Sequence, residues 1–175
     1  MKKSIALLTA ILIVASFSAC GKTAEPAVTT EPTTAAVETT VAPAADVSPA
    51  QLLWSDFQAK YTADKSAEEL ARDVLANESI PYMCDAMAVE PGLLNGFGNT
   101  EITGFTEGVT FGPIIGSIPF VGYIFKVDGD VDAFMQTLRE NGDLRWNICT
   151  EADEMLCEAV DNTVFFLMAP ASFGE

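Results

Sequence analysis

The region from residue 48 onward opens with apolar side chains at helical spacing. Ser48 can cap a helix, and Pro49 follows at the first helical position. Proline is tolerated there because the backbone N–H at that position has no hydrogen-bond partner within the helix. The residues that recur on one face are Leu53, Trp54, Phe57 and Tyr61. This spacing predicts a helix that runs to about Lys60.

A second amphipathic helix is predicted shortly afterwards. Ser66 and Glu69 have the spacing of a capping box, in which each side chain bonds to the backbone N–H of the other residue. The apolar positions that follow are Ala67, Leu70, Ala71, Val74 and Leu75. They lie on one helical face, so the pattern predicts a helix packed on a core.

Glycine and proline interrupt the chain repeatedly between residues 80 and 122, which indicates short strands, bulges and turns. The apolar run at residues 121–127 predicts a buried strand. Asp130 can cap a third helix after the turn that follows, and Asn141 with Gly142 can end it. Its apolar stripe consists of Val131, Phe134, Met135 and Leu138.

The last part of the chain allows two interpretations. Residues 144–150 are predicted as a strand, and residues 163–169 as a buried closing strand. Between them, the apolar spacing from Ala152 to Val160 favours a helix that begins near Thr150. The alternative is a strand over residues 156–160, joined by a tight turn to the closing strand as a hairpin.

These elements predict a single α+β domain over residues 50–175. Two helices come first and a mixed unit of strands and a helix follows, which is typical of a small two-layer sandwich. Residues 21–49 contain many Thr, Ala and Pro residues and no aromatic, Leu, Ile or Met. Because such a segment cannot build a core, it is predicted to be a disordered tether.

The first residues have the pattern of a secretory signal. Lys2 and Lys3 precede thirteen uncharged residues, and small residues follow. This apolar stretch is shorter than the roughly 20 residues that a spanning helix needs. Residues 1–19 are therefore predicted to be a signal peptide.

Residues 17–20, Phe-Ser-Ala-Cys, resemble the lipobox of bacterial lipoproteins, although Phe17 stands where the family usually has Leu. The resemblance implies that Cys20 is acylated and becomes the first mature residue, at the head of the 20–49 tether. The protein would then be anchored in the lipid bilayer at the extracytoplasmic face of the cell membrane. The whole organisation is similar to that of small surface lipoproteins of Gram-positive anaerobes.

The charge of the chain excludes several classes of function. It has 9 basic and 25 acidic residues and no histidine, for a net charge of -16. Loss of Lys2 and Lys3 with the signal peptide leaves 7 basic residues against 25 acidic ones, or -18. Such a chain repels phosphate, so no nucleic acid is expected as a partner. Without histidine, catalytic relays and zinc sites that depend on imidazole are excluded.

The remaining candidate chemistry is sparse. Asp128, Asp130 and Asp132 resemble the first half of a calcium loop, but Ala133 and Arg139 occupy positions that require Gly and Glu. Turn formation and helix capping explain the three aspartates better, so they remain a weak metal candidate.

Three cysteines remain after Cys20, namely Cys84, Cys149 and Cys157. At most one pair can form a disulfide, either Cys149 with Cys157 or Cys84 with Cys149. Small buried apolar side chains are the favoured interpretation of these thiols.

The most apolar part of the mature chain is residues 109–127. We expect a buried loop that leads into a core strand; the alternative is a membrane-inserting loop or an apolar groove. If the domain has a cleft, this segment and residues 91–111 are where we expect it.

The sequence favours a non-enzymatic binding or envelope-interaction module with no cofactor and an unidentified protein or envelope ligand. Two other functions remain open. One is a carboxylate-dependent cell-wall hydrolase, for which Glu101 and Glu107 flank a Gly-rich loop. The other is an accessory subunit that docks on a membrane transporter, which an exposed apolar patch around residues 114–123 would favour.

Overall fold

A computed structural model of the chain describes residues 47–174, which form an α+β fold. The helices are α1 (Pro49–Lys60), α2 (Ala67–Leu75) and α3 (Val131–Asn141). The strands are β1 (Cys84–Ala88), β2 (Gly92–Leu93), β3 (Glu101–Ile102), β4 (Phe105–Pro113), β5 (Val121–Val127), β6 (Glu154–Val160) and β7 (Thr163–Ala169). The predicted α+β sandwich is confirmed. Within residues 47–174, none of the helices has the length and hydropathy to cross a bilayer.

Five strands form an antiparallel sheet in the order β1-β4-β5-β7-β6, while β2 and β3 pair separately. All residues of β5 and β7 are buried, because these strands lie in the interior of the sheet with protein on both faces. Successive side chains of β7 alternate between two apolar clusters: Phe165 and Leu167 enter one, and Val164 and Phe166 enter the other. Strands buried in this way show continuous apolar runs in sequence.

Helices cover both faces of this sheet. The buried side chains of α1 and α2 join the cluster that contains Phe165, and those of α3 join the cluster that contains Phe166. The sheet also supplies carboxylates to two helix N-termini. Glu107 Oε2 accepts a hydrogen bond from the N–H of Ala67 at 2.9 Å, and Glu154 Oε1 accepts one from that of Ala50 at 2.9 Å. Each carboxylate satisfies a free donor and faces the positive end of the helix dipole.

All three predicted helix starts are confirmed. Ser48 accepts from the N–H of Gln51, Ser66 and Glu69 form the complete capping box, and Asp130 accepts from the N–H of Ala133 at 3.0 Å. The buried strand at residues 121–127 and the closing strand at residues 163–169 are confirmed as β5 and β7.

The helix expected after Thr150 is wrong, and the alternative hairpin is confirmed. Residues 154–160 form β6, which pairs with β7 along its whole length. Asp161, with a φ of 53°, and Asn162 make the two-residue turn that this hairpin requires. The apolar spacing also fits a strand, because Leu156 and Val160 contact one cluster while Met155 and Ala159 contact the other.

The strand predicted at residues 144–150 is also wrong. This segment consists of consecutive turns, in which the N–H of Trp146 donates to Asp143 O at 3.0 Å and that of Thr150 donates to Asn147 O at 3.2 Å. Such short-range bonds satisfy the backbone locally and leave no ladder for a neighbouring strand. The side chain of Trp146 nevertheless packs against the core.

Candidate functional site

A concave surface that encloses a volume of about 860 Å³ lies on the face of the sheet that also carries α3. Helix α3 packs on β6 and β7 and reaches β5 through Phe134, whose ring centroid is 5.2 Å from that of Phe125. The groove lies beside it, over β1 and the parts of β4 and β5 near the loop that joins them. We call this surface the apolar groove. Its lining comes from β1 (Asp85, Met87), the β2 region (Leu93, Leu94, Asn95), β4 and β5 (Thr110, Val121, Tyr123), the loop between them (Ile114, Ile115, Gly116, Ile118) and the loop before β6 (Trp146, Asn147, Ile148, Cys149).

Most of the large apolar side chains that the domain exposes surround this groove. Seven are exposed in residues 47–174, and five of them line it: Met87, Leu93, Ile114, Ile115 and Ile148. A sixth, Met83, is directly adjacent, because its carbonyl accepts from the N–H of Ile114 at 2.9 Å. Isolated exposed apolar residues are ordinary, but such a concentration on one surface is typical of binding sites.

The floor of the groove is neutral. The hydroxyl of Tyr123 donates to Asn95 O at 2.7 Å, and its ring stacks on Phe125 with centroids 5.4 Å apart. Burial raises the pKa of Tyr123 above its usual value, and the bonds with Thr110 and Asn95 only partly offset this. The phenol therefore stays protonated at physiological pH. Among the described residues, Asp85 is the single carboxylate that lines the groove, and no basic residue does.

Backbone and side-chain bonds hold the loops around the groove together. The side-chain amide of Asn147 donates to Gly116 O, which joins the loop before β6 to the β4–β5 loop. On the other side, the N–H of Asp143 donates to Gly96 O at 2.8 Å. Loops fixed at several points form a preorganised pocket rather than one that must be ordered on binding.

The apolar segment at residues 109–127 combines the two expectations for it. Its ends are buried in β4 and β5, with Phe111 at 1% exposure and Ile124 at 0%. Its centre is not buried, since Ile114 and Ile115 are exposed at 62% and 66%. The groove lies where a cleft was expected, at this segment and residues 91–111. The loop of residues 144–150 completes it, which the strand predicted for these residues does not indicate.

No protein-family model, curated protein or solved structure matches this chain.

The three aspartates of the calcium-like segment have structural roles or lie exposed. Asp130 caps α3, while Asp128 and Asp132 are exposed beside it. Within residues 47–174, His, Cys, Asp and Glu form no group of three suited to hold a metal ion.

Cys84, Cys149 and Cys157 are free thiols in three different environments. Cys84 is half-buried in β1, Cys149 is exposed on the rim of the groove, and Cys157 is buried in β6. Burial raises the pKa of Cys84 to about 11 and that of Cys157 to about 12. Both stay protonated near neutral pH, which makes them poor nucleophiles.

We expect one fast and two slow thiols in the native protein. At about pH 8 the thiolate fraction of Cys84 should be about a hundredfold below that of a thiol of ordinary pKa, and it should rise only as the pH approaches 11. The reaction rates of the thiols with a disulfide reagent such as dithionitrobenzoate can be measured on the chain from residue 20 carrying Cys20→Ser. Cys149→Ser should remove the fast phase. Denaturation without reductant should release three thiols, and a count of one would reveal a disulfide.

The other candidate residues do not assemble into a catalytic site. Cys20 lies outside the described residues. Glu107 caps α2, and Glu101 is exposed in the short strand β3. Acid and base catalysis of glycoside hydrolysis needs two convergent carboxylates, whereas Asp85 is the one that lines the groove in the described domain.

Proposed function

We propose that this protein is a membrane-anchored, extracytoplasmic binding module whose apolar groove binds an apolar segment of a partner protein. The observation that carries the proposal is the concentration of exposed apolar side chains around one groove of a strongly acidic domain. Leaving those side chains in water costs about 25 cal/mol of free energy per Å² of apolar surface. A bound partner would remove this surface from water and so gain that free energy. The lipobox-like Cys20 and the tether would hold the domain near the membrane and leave it free to bind.

A second candidate function uses the same surface. Ile114 and Ile115 are exposed in the β4–β5 loop beside the exposed Met83, and this apolar rim also suits an accessory subunit that docks on a membrane transporter. A hydrolase is less well supported, because Asp85 is the single carboxylate of residues 47–174 that lines the groove.

We expect the groove to bind a neutral apolar dye such as Nile red in a saturable way. The chain from residue 20 carrying Cys20→Ser is titrated, and the dye's fluorescence reports binding. Ile115→Asp should weaken binding about tenfold or more, because the dye would have to desolvate the new carboxylate. Ile115 is exposed, so this variant should retain the wild-type fold and thermal unfolding.

Val47→Asp is the matched control, because Val47 is also an exposed apolar residue, at 60%, but does not line the groove. It should leave dye binding unchanged. Binding that does not saturate, or that falls equally in the two variants, would contradict the proposed function.

A further inference from the structure

We infer that the occupant of the groove is an extended, positively charged segment of a partner protein that pairs with the free edge of β1. This inference rests on the proposed function and adds the conformation and the charge of the partner. Three features carry it: the outer edge of β1, which no other strand of residues 47–174 pairs with, the position of the groove beside that edge, and the distribution of charge.

Strand β1 is an edge strand with backbone groups that turn away from the sheet. The N–H of Val89 donates to Gly108 O at 2.8 Å, and that of Ile114 donates to Met83 O at 2.9 Å. Bonded pairs alternate along an antiparallel ladder, so the odd-numbered residues of β1 bond to β4. Cys84, Ala86 and Ala88 therefore direct their N–H and C=O groups outward, as a template for a sixth strand.

The domain covers only part of this template itself. Asp85 Oδ1 accepts a hydrogen bond from the outward N–H of Ala86 at 2.8 Å. Asp85 is exposed, and an exposed side chain can be displaced at small cost. A carboxylate at this position also places a negative charge where a partner's strand would lie.

The apolar groove begins at this same edge. Asp85 and Met87 line the groove, whereas Ala86 between them enters the cluster under α1 and α2. A strand added beside β1 would direct every second side chain to the groove side, next to Met87. Backbone bonds would then supply affinity, and the apolar wall would select the side chains.

The charge of the domain selects a basic partner. Five of its six basic residues form ion pairs, in Lys60–Asp56, Lys65–Asp73, Arg72–Glu68, Arg139–Glu158 and Arg145–Glu151. The sixth, Lys126, is buried over the Tyr61 ring. Residues 47–174 contain 20 acidic residues, and five pair with bases, which leaves 15 without a basic partner. This field attracts Lys and Arg and repels an anionic membrane or a second copy of the domain.

The tether of the same chain is a poor occupant. It lacks the Leu, Ile, Met and aromatic side chains that an apolar groove selects. The chain also enters the domain elsewhere, because Ala50 at the start of α1 bonds to Glu154 in β6. Strands β1 and β6 are opposite edges of the five-stranded sheet, four strand spacings or about 19 Å apart.

Synthetic peptides of about ten residues test the inference, since this length exceeds that of β1. One alternates Ile or Val with Lys, and its matched partner alternates the same residues with Glu. Binding is followed by the fluorescence of Trp146, which lines the groove, in the chain from residue 20 carrying Cys20→Ser and Trp54→Phe. We expect the Lys peptide to bind about tenfold or more tightly than the Glu peptide, by an amount that shrinks as salt is added.

Backbone methylation of the Lys peptide tests strand pairing without altering the protein. Successive N–H groups of a strand point to opposite sides, so N-methyl groups on one alternate set of residues would face β1. We expect one methylated peptide to lose about tenfold or more in affinity and the other to bind as before. Equal binding of both methylated peptides and the unmethylated one would overturn strand pairing.

The remaining outcomes separate this inference from the proposed function. Equal affinity for the Lys and Glu peptides would overturn the basic partner. Binding of the unlipidated protein to phosphatidylglycerol vesicles, with loss in Ile115→Asp, would show a membrane as the occupant and overturn the inference. If neither peptide binds while Nile red still binds the groove, the inference fails alone. If the dye also fails to bind, the proposed function fails with it.

Discussion

Phe165→Ala is expected to lower the free energy of unfolding by about 4 kcal/mol, which is close to the full stability of a marginal domain. Phe165 lies in β7 at 0% exposure. Its ring centroid is 5.1 Å from that of Phe57, 5.7 Å from that of Trp54 and 5.9 Å from that of Phe111. The side chain thus joins α1 to two strands of the sheet. Its truncation would leave a cavity that these rigid rings cannot close.

Urea unfolding of the chain from residue 20 carrying Cys20→Ser measures this effect, with circular dichroism as the signal. Phe173→Ala is the matched control, because Phe173 is half-buried and packs at the periphery of the same cluster. It should cost about 1 kcal/mol. A Phe165→Ala protein within 1 kcal/mol of the parent would show that the described packing of α1 on the sheet is wrong. If Phe165→Ala fails to fold, Phe165→Leu should still show a measurable loss of about 1 kcal/mol.

The parts of the fold that the sequence predicts correctly are those in which local signals and tertiary packing agree. Helix α2 has a capping box and an apolar stripe, and both operate in the structure. Strands β5 and β7 are continuous apolar runs because both their faces are buried. In these elements the local preference of the chain already matches its environment, so periodicity alone is sufficient.

Residues 150–160 show why other elements were not predictable in the same way. In a helix, Met155, Leu156, Ala159 and Val160 would share one apolar face. A strand that has a core on each of its faces also places all four against apolar surfaces. The outcome is decided by strand pairing, because residues 154–160 pair with the edge of β7 that β5 leaves unpaired. That information is tertiary and overrides the local spacing.

The apolar groove depends on still longer-range information. Its apolar loop at residues 114–118 and its β2 region could be indicated as a cleft from their composition. That Met87 and Ile148 belong to the same surface could not, because they are brought together only by the β1–β4 pairing and by the turns before β6. Alternation also fails to mark Met87, since β1 is an edge strand with one buried residue in five.

Cys20→Ala is expected to remove the protein from the membrane. A single acyl chain binds a bilayer with an association constant of only about 10⁴ M⁻¹, whereas two or three chains hold a protein stably. All of those chains would depend on the Cys20 thiol, so the loss should be nearly complete. In extraction with a detergent that separates into phases on warming, the parent protein should enter the detergent phase and the variant the aqueous phase.

Cys149→Ala is the matched control, because Cys149 is the exposed thiol of the folded domain. It should partition with the parent protein. Labelled palmitate gives a readout that holds even if Cys20→Ala blocks removal of the leader: label should enter the parent and Cys149→Ala but not Cys20→Ala. Label retained by Cys20→Ala would overturn the anchoring proposal.

An acidic domain freed from its anchor should stay in solution, because with 21 acidic residues against 6 basic ones from residue 50 onward it is repelled by an anionic envelope. The lipid would therefore be what keeps the groove at the membrane surface, where a basic partner segment can reach it.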